Sequence, residues 1–268
     1  MQSGPNELPA SRARLAEVLR GAKEVVSIEI AAQTLGIDRR SAAKLLSRWR
    51  GQGWLRRIGP GLYVPVPLDL ASSEQVVEDP WVLVPVLFGA SYIGGWTAAH
   101  HWDLTEQLFN ETVIFTTKRT SAKHVIAQGV TFRLNHIAEK RLFGLKAIWR
   151  GSQRVNLSDP ARTVVDMLAL PETGGGVDHV ADCLTAYRKS RSYDADLLIR
   201  YAERLGNGAV FKRLGFLAEV QLHDSHLVSE CTDRLTQGNA QLDPRLISRH
   251  LHTSWRLWVP ERWHRMAS

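Results

Sequence analysis

IEIAAQTLGIDRRSAAKLLSRWRGQGWLRRIGPGLYVP, residues 28–65, decides how this chain is read. Ile28 to Thr34 is a short helical run. Leu35-Gly36-Ile37 follows as a turn, because Gly36 tolerates the left-handed conformation that ends a helix. Asp38 then suits the N-cap of a second helix, where its carboxylate accepts from amides that lack an intrahelical partner. In that helix Ala42, Leu45, Leu46 and Trp49 fall at the i, i+3, i+4, i+7 spacing of a buried stripe. At ~100° per residue the opposite side carries Arg40, Lys44 and Ser47, flanked by Ala43 and Arg48, with Arg39 in the first turn. One side packs and the other offers cations and hydrogen-bonding groups, the arrangement of a helix that enters a DNA major groove. Trp54–Ile58 and Leu62–Val64 have strand character about the turn Gly59-Pro60-Gly61. That hairpin stands where a winged helix carries its wing, with Arg56 and Arg57 on its first strand. Upstream, Ser11 is a candidate cap for a helix whose Leu15, Val18, Leu19 and Ala22 form another apolar stripe. The plain alternative is a three-helix packing unit whose cations are merely solvated. Turn, cap, stripe, basic face and hairpin agree in order, which favours a winged helix-turn-helix that binds double-stranded operator DNA.

The charge sits with the motif. The net charge is +7, but residues 1–67 hold eleven Lys/Arg against five Asp/Glu, giving +6, and the rest holds 23 against 22, giving +1. A basic head on a neutral body is a single electrostatic footprint for a polyanion. At 268 residues, two domains are expected. Residues 1–67 are read as the winged helix-turn-helix, 68–80 as a linker after Pro65-Val66-Pro67, and 81–268 as a larger second domain. The 44% hydrophobic and 23% charged fractions are those of a globular chain rather than a disordered one. No run approaches the ~18 apolar residues of a membrane span. MQSGPNELPASRARL lacks the apolar core of a signal peptide, and Cys183 and Cys231 give no disulfide framework. A cytoplasmic protein is expected.

The second domain reads as short strands followed by helices. Trp81–Leu87 is a buried segment, taken as helix. Gly94–Trp102 is a short helix opened by Ser91-Tyr92-Ile93. Val113–Phe115, Val130–Leu134, Lys146–Trp149 and Arg154–Leu157 are strands. Ser158 or Asp159 caps a helix with Pro160 in its first turn, running to about Leu170. Gly174-Gly175-Gly176 is a flexible loop. Helices are expected over Val177–Lys189, Asp194–Leu205 and Ala209–Leu222, and a closing strand over Ser254–Val259. The fold class is α+β: an N-terminal winged helix-turn-helix followed by a larger mixed α/β domain.

Three segments of that domain are SYIGGWTAAHHWDLTEQ (91–107), VIFTTKR (113–119) and VNLSDPARTVVDML (155–168). With the N-terminal region they resemble the AbiEi family of antitoxins and transcriptional regulators of type IV toxin–antitoxin systems. The resemblance implies a winged helix that represses its own two-gene operon. It also implies a C-terminal antitoxin domain that counteracts a nucleotidyltransferase-like toxin encoded beside it. No catalytic residue, cofactor or metal is implied.

The residues themselves agree with a non-enzyme. His100 and His101 are adjacent and point about 100° apart on a helix, so they do not share one ion. His223 with His226, and His250 with His252, lack a nearby Cys or an HExxH pattern. The glycine run lacks the Gly-Lys-Ser/Thr ending of a phosphate loop, and no GxSxG is present. Lys118 and Arg119, with Lys123 and Arg133 nearby in sequence, form a candidate second basic surface. Trp49, Trp54, Trp96 and Trp102 are read as core anchors, and Trp255, Trp258 and Trp263 as core or interface. Two alternatives stay open. One is a ligand-responsive winged-helix repressor without a toxin partner. The other is a nucleic-acid-processing enzyme with a winged-helix targeting domain, for which Asp159 and Asp166, at i, i+7, are the candidate acids.

Overall fold

A computed structural model of the chain describes residues 10–22, 25–66, 79–151 and 153–267. By its internal contacts the chain divides into two units. One is Met1–Gly89 with Ile126–Val130 and Ile148–Val155; the other is Ala90–Val125 with Thr131–Ala147 and Asn156–Ser268. Most of the expected linker, residues 68–78, lies outside the described residues. At its far end Asp79 accepts from the Trp81 amide at 3.0 Å and opens a 3-10 turn, Pro80–Leu83.

The first unit contains α1 (Ala10–Gly21), β1 (Val26–Ser27), α2 (Ile28–Leu35), α3 (Arg39–Gly51), β2 (Leu55–Gly59), β3 (Leu62–Pro65) and α4 (Val84–Phe88). The strands form an antiparallel sheet in the order β1-β3-β2, with Val26 and Arg57 both opposite Tyr63. Leu15, Val18, Ala31, Ala42, Leu46, Trp49, Leu55 and Tyr63 make the core. Trp49 is fully buried, so its indole N–H needs a partner, and it donates to Ser11 Oγ at 3.1 Å. Ser11 therefore lies inside α1 and serves the core rather than capping the helix. Two local features escaped the sequence. Ser27 caps α2, its Oγ accepting from the Ile30 amide at 3.1 Å, and β1 adds a third strand to the hairpin.

The remaining strands and helices begin with β4 (Ser91–Ile93), α5 (Gly95–His101), β5 (Glu111–Thr116), β6 (His124–Ala127), β7 (Val130–His136), β8 (Leu145–Arg150) and β9 (Gln153–Ser158). They form a six-stranded sheet in the order β6-β7-β5-β4-β9-β8. β4 runs antiparallel to β5 and parallel to β9, and β5 runs parallel to β7. Then come α6 (Pro160–Ala169), α7 (Val177–Lys189), α8 (Ala195–Leu205), α9 (Gly208–Leu217) and α10 (Ser225–Thr232). A small sheet, order β10-β12-β11, is built from β10 (Ala240–Gln241), β11 (His250–His252) and β12 (Leu257–Val259), and α11 (Glu261–Ala267) follows.

Several expectations change here. Ser91–Ile93 is a buried strand, not a helix opening, and β6 was not anticipated. The glycine run is a packed corner rather than a flexible loop. Gly174 ends a 3-10 turn, and a Cβ there would lie 2.5 Å from Val180 Cγ2. Gly175 and Gly176 take φ of 80° and 110°, which glycine adopts readily. The helix expected to Leu222 ends at Leu217, and Ala218–Leu222 forms a π turn. The expected closing strand shortens to Leu257–Val259, because Arg256 turns the chain with φ of 51°. Trp255 and Trp263 are core at 2% and 3% exposure, while Trp258 is 37% exposed.

α6 organises the second core. Every residue from Pro160 to Leu168 is buried, so its polar members must be paired. Arg162 Nε donates to Asp166 Oδ1 at 2.9 Å, Nη2 to Tyr92 Oη at 2.9 Å and Nη1 to the Phe143 carbonyl at 3.3 Å. The Tyr92 hydroxyl closes the ring by donating to Asp166 Oδ2 at 2.9 Å. Burial pushes the Asp166 carboxyl up, and the Arg162 guanidinium opposes that shift. Removing one member strands the others in a dry site. Arg162→Met is expected to lower stability by about 3–5 kcal/mol in chemical denaturation of the full chain. Arg162→Met with Asp166→Leu should lose less than the single variant; equal or greater loss would mean the charges themselves stabilise the fold.

Candidate nucleic-acid interface

The turn between α2 and α3 sets the surface. Gly36 is left-handed at φ 63°, and the Ile37 amide returns to the Ala32 carbonyl at 3.0 Å. Asp38 Oδ1 accepts from the amides of Arg40 at 2.9 Å and Ser41 at 3.0 Å, and the Ser41 hydroxyl donates to Oδ2 at 2.6 Å. These bonds, the Ser41 hydroxyl foremost, hold the Asp38 carboxyl below its usual range. α3 therefore starts at a fixed residue, and its rotation follows. Ala42, Leu46 and Trp49 are buried and Leu45 is half-buried. Arg40, Lys44, Ser47 and Arg48 are exposed together on the other side.

Arg39 and the wing cations behave differently from one another. Arg39 is exposed but pairs with Glu29 Oε1 at 2.6 Å, which ties the start of α3 to α2. On β2, successive side chains point to opposite faces. Arg57 is exposed and its Nε donates to the Gly59 carbonyl at 3.0 Å, whereas Arg56 is half-buried. The structure thus separates two arginines that adjacency in sequence had grouped. Arg50 in the last turn of α3 is exposed as well, and Arg12 of α1 lies over the Trp54 ring at 5.5 Å. Reading only the central turns of α3 passed over both.

The second basic group is only partly assembled. Lys123 and Arg133 line one open pocket of about 390 Å³, and Lys118 and Arg119 are not among its lining residues. Both of those are exposed after β5, with the Lys118 amide donating to Thr116 Oγ1 at 3.0 Å.

Most of the residues weighed for chemistry have other partners. Asp159 caps α6, its Oδ1 accepting from the Arg162 amide at 2.8 Å and its Oδ2 from the Tyr201 hydroxyl at 2.8 Å. Asp166 is held in the buried ring already described, so neither acid of the enzyme alternative faces an open site. His250 Nε2 lies 2.6 Å from Glu261 Oε2 and its ring stacks on His264 at 4.2 Å, while His252 meets Phe216 edge-on. His101 is set edge-on to Trp102, and His226 Nε2 lies 3.9 Å from Asp196. Among the described residues no group of three His, Cys, Asp or Glu is placed to hold a metal ion. Burial pushes the thiols of Cys183 and Cys231 up to about 12, so neither is a ready nucleophile at neutral pH.

Residues 13–66 match the family model for AbiEi antitoxin transcriptional regulators. The match spans α1 to β3, the helices and hairpin whose geometry carries the basic face. It is the family that the sequence resembles, and the segments at 91–107, 113–119 and 155–168 lie beyond the matched residues. No curated protein matches the chain. No helix among the described residues is long and apolar enough to cross a membrane.

The winged helix within the matched residues yields a residue-level expectation. Arg40→Ala should cost about 1–3 kcal/mol of operator affinity and relax base preference if the guanidinium reads a guanine edge. Arg57→Ala should weaken binding evenly across sequences and lower the salt slope by about one. Footprinting and salt titrations separate the two. Unchanged affinity in the Arg40→Ala/Lys44→Ala variant would sink the recognition-helix assignment.

Proposed function

We propose that this protein is a DNA-binding repressor of its own two-gene operon and the antitoxin of a type IV system. The observation that carries the reading is the capped α3. It presents Arg40, Lys44, Ser47 and Arg48 together, beside a hairpin bearing exposed Arg57, within residues that match an AbiEi regulator model. Arg40, Lys44 and Ser47 read base edges in the major groove. Arg39, Arg48, Arg56 and Arg57 sit where they hold backbone phosphate, Arg39 and Arg56 less freely because of the ion pair and burial described above. The operator DNA is the first partner. The second is a nucleotidyltransferase-like toxin, which the larger domain, residues 81–268, counteracts. Lys118 and Arg119, with Lys123 and Arg133, form the candidate antitoxin surface, and the protein acts in the cytoplasm without catalysis of its own.

The two activities should separate by domain, because almost all the net charge lies in residues 1–67. Arg40→Ala/Lys44→Ala should abolish repression of an operon reporter and leave growth under toxin expression protected. Lys118→Ala/Arg119→Ala should spare repression and weaken protection. Both are read at matched protein abundance. Loss of protection in the α3 variant, as complete as its loss of repression, would make antitoxicity depend on DNA binding.

A further inference from the structure

Thr105 and His179 form a hydroxyl–imidazole pair that neither the α3 face nor the buried ring of α6 uses. Both residues are half-buried, and Thr105 Oγ1 lies 2.8 Å from His179 Nε2. The second ring nitrogen decides which of the two gives the proton. His179 Nδ1 lies 2.6 Å from the Gly174 carbonyl, which only accepts, so Nδ1 carries a proton. In the neutral ring Nε2 is then a bare lone pair, and the Thr105 hydroxyl donates to it. A hydroxyl, a base in reach of it and a third group that orients the base are the parts of an activated nucleophile.

The surroundings hold those parts in place. The glycine corner delivers the Gly174 carbonyl. A Cβ on Gly175 would lie 2.9 Å from Cζ of Phe109, the ring that meets His179 edge-on at 5.3 Å and stacks on Trp96 at 4.6 Å. Cys183 Sγ lies 3.7 Å from His179 Nε2, but burial pushes its thiol up to about 12, so it puts no charge beside the ring at neutral pH. On the other side the Gln107 amide donates to Thr105 Oγ1 at 3.0 Å. That bond occupies one of the two lone pairs of the hydroxyl oxygen, and no described residue donates to the other. The segment that carries Thr105 is open to a partner: Asp103, Glu106, Gln107 and Asn110 are exposed, and Leu108 is 78% exposed.

The pair supplies an attacking group and a base, but not the rest of a reaction site. The one amide bonded to the hydroxyl is spent on Oγ1 itself rather than aimed at an electrophile. The electrophile therefore comes on a second protein. We infer that Thr105 is an acceptor site for a nucleotidyl group, with His179 as its general base. This rests on the proposed function, in which the partner is nucleotidyltransferase-like. Thr105 Oγ1 attacks the α-phosphorus of a nucleoside triphosphate held by that partner. The new O–P bond forms as the bond from the α-phosphorus to the bridging oxygen breaks, and pyrophosphate leaves. The hydroxyl proton passes to His179 Nε2 and from there to solvent. Phosphoryl chemistry of this kind is positioning and charge stabilisation by the enzyme that holds the triphosphate, so the acceptor contributes only a hydroxyl that can lose its proton.

The test is incubation of the full chain with the toxin encoded beside it, Mg²⁺, and ATP, GTP, CTP or UTP carrying radiophosphorus at the α or the γ position. Label from the α position, and not the γ position, should appear on the peptide that contains Thr105, located by mass spectrometry. Thr105→Val, nearly isosteric, should lose the label and keep repression of the operon reporter, which shows that the variant is folded. Thr105→Ser should keep the label. His179→Gln should slow labelling about a hundredfold, compared at matched melting temperature. An unlabelled Thr105 in a chain that does protect cells against the toxin would overturn the inference and leave the proposed function standing. So would label that survives Thr105→Val, label from the γ position alone, or a labelling rate indifferent to His179→Gln. Failure of the unaltered chain to protect would overturn the proposed function, and the inference with it.

Discussion

The Asp38 carboxylate is the contact on which the exposed basic face of α3 turns. A helix leaves its first amides without partners, and where a side chain satisfies them decides which residue begins the helix. Asp38 takes the Arg40 and Ser41 amides, and Gly36, two residues earlier, has already ended α2 in a left-handed turn. With start and turn both fixed, the angular position of every residue in α3 is determined. A start one residue later would rotate the helix surface by about 100° relative to its cap. Trp49 would then leave the core, and with it the bond that ties α3 to Ser11 of α1. Cap and core stripe therefore specify the same rotation, and exposure of Arg40, Lys44 and Ser47 is its consequence.

The chain uses arginine in two opposed ways. On α3 the guanidinium groups stand in water, where a solvated cation costs little and a phosphate can replace its counterions. In α6 the guanidinium is dry, and every donor direction finds an oxygen or a ring: Asp166, Tyr92, the Phe143 carbonyl and the Phe143 face at 3.9 Å. A buried charge held this way adds little net stability over an apolar core, but it penalises any packing that misplaces one partner. The ring links β4, α6 and the segment before β8, elements far apart in sequence. It acts as a register for the second core rather than as a site.

Legibility in the sequence followed the range of the interaction. Gly36, Asp38 and the stripe of α3 act over a few residues, so spacing revealed them along with the exposed face. The cap at Asp159, one of the two residues offered for α6, was legible for the same reason. Ser11 misled because its partner is Trp49, 38 residues away, and nothing local distinguishes a capping hydroxyl from one serving a distant indole. β1 and β10, at two residues each, are too short to show alternation. Arg56 and Arg57 looked equivalent until the register opposite Val64 and Tyr63 sent them to different faces. Lys118, Arg119, Lys123 and Arg133 were grouped by proximity in sequence; Lys123 and Arg133 line one pocket, and Lys118 and Arg119 lie outside its lining.

Distance then divides the work among the cations. Around residues 1–67 the positive charges outnumber the negative by six, so their field adds at range. In the remainder the excess is one, and acids such as Asp224, Glu203 and Glu230 cancel arginines within a few ångströms. Screening over about 8 Å at physiological salt leaves such a surface nearly neutral to an approaching duplex. The long-range field thus resides in the first 67 residues of the chain.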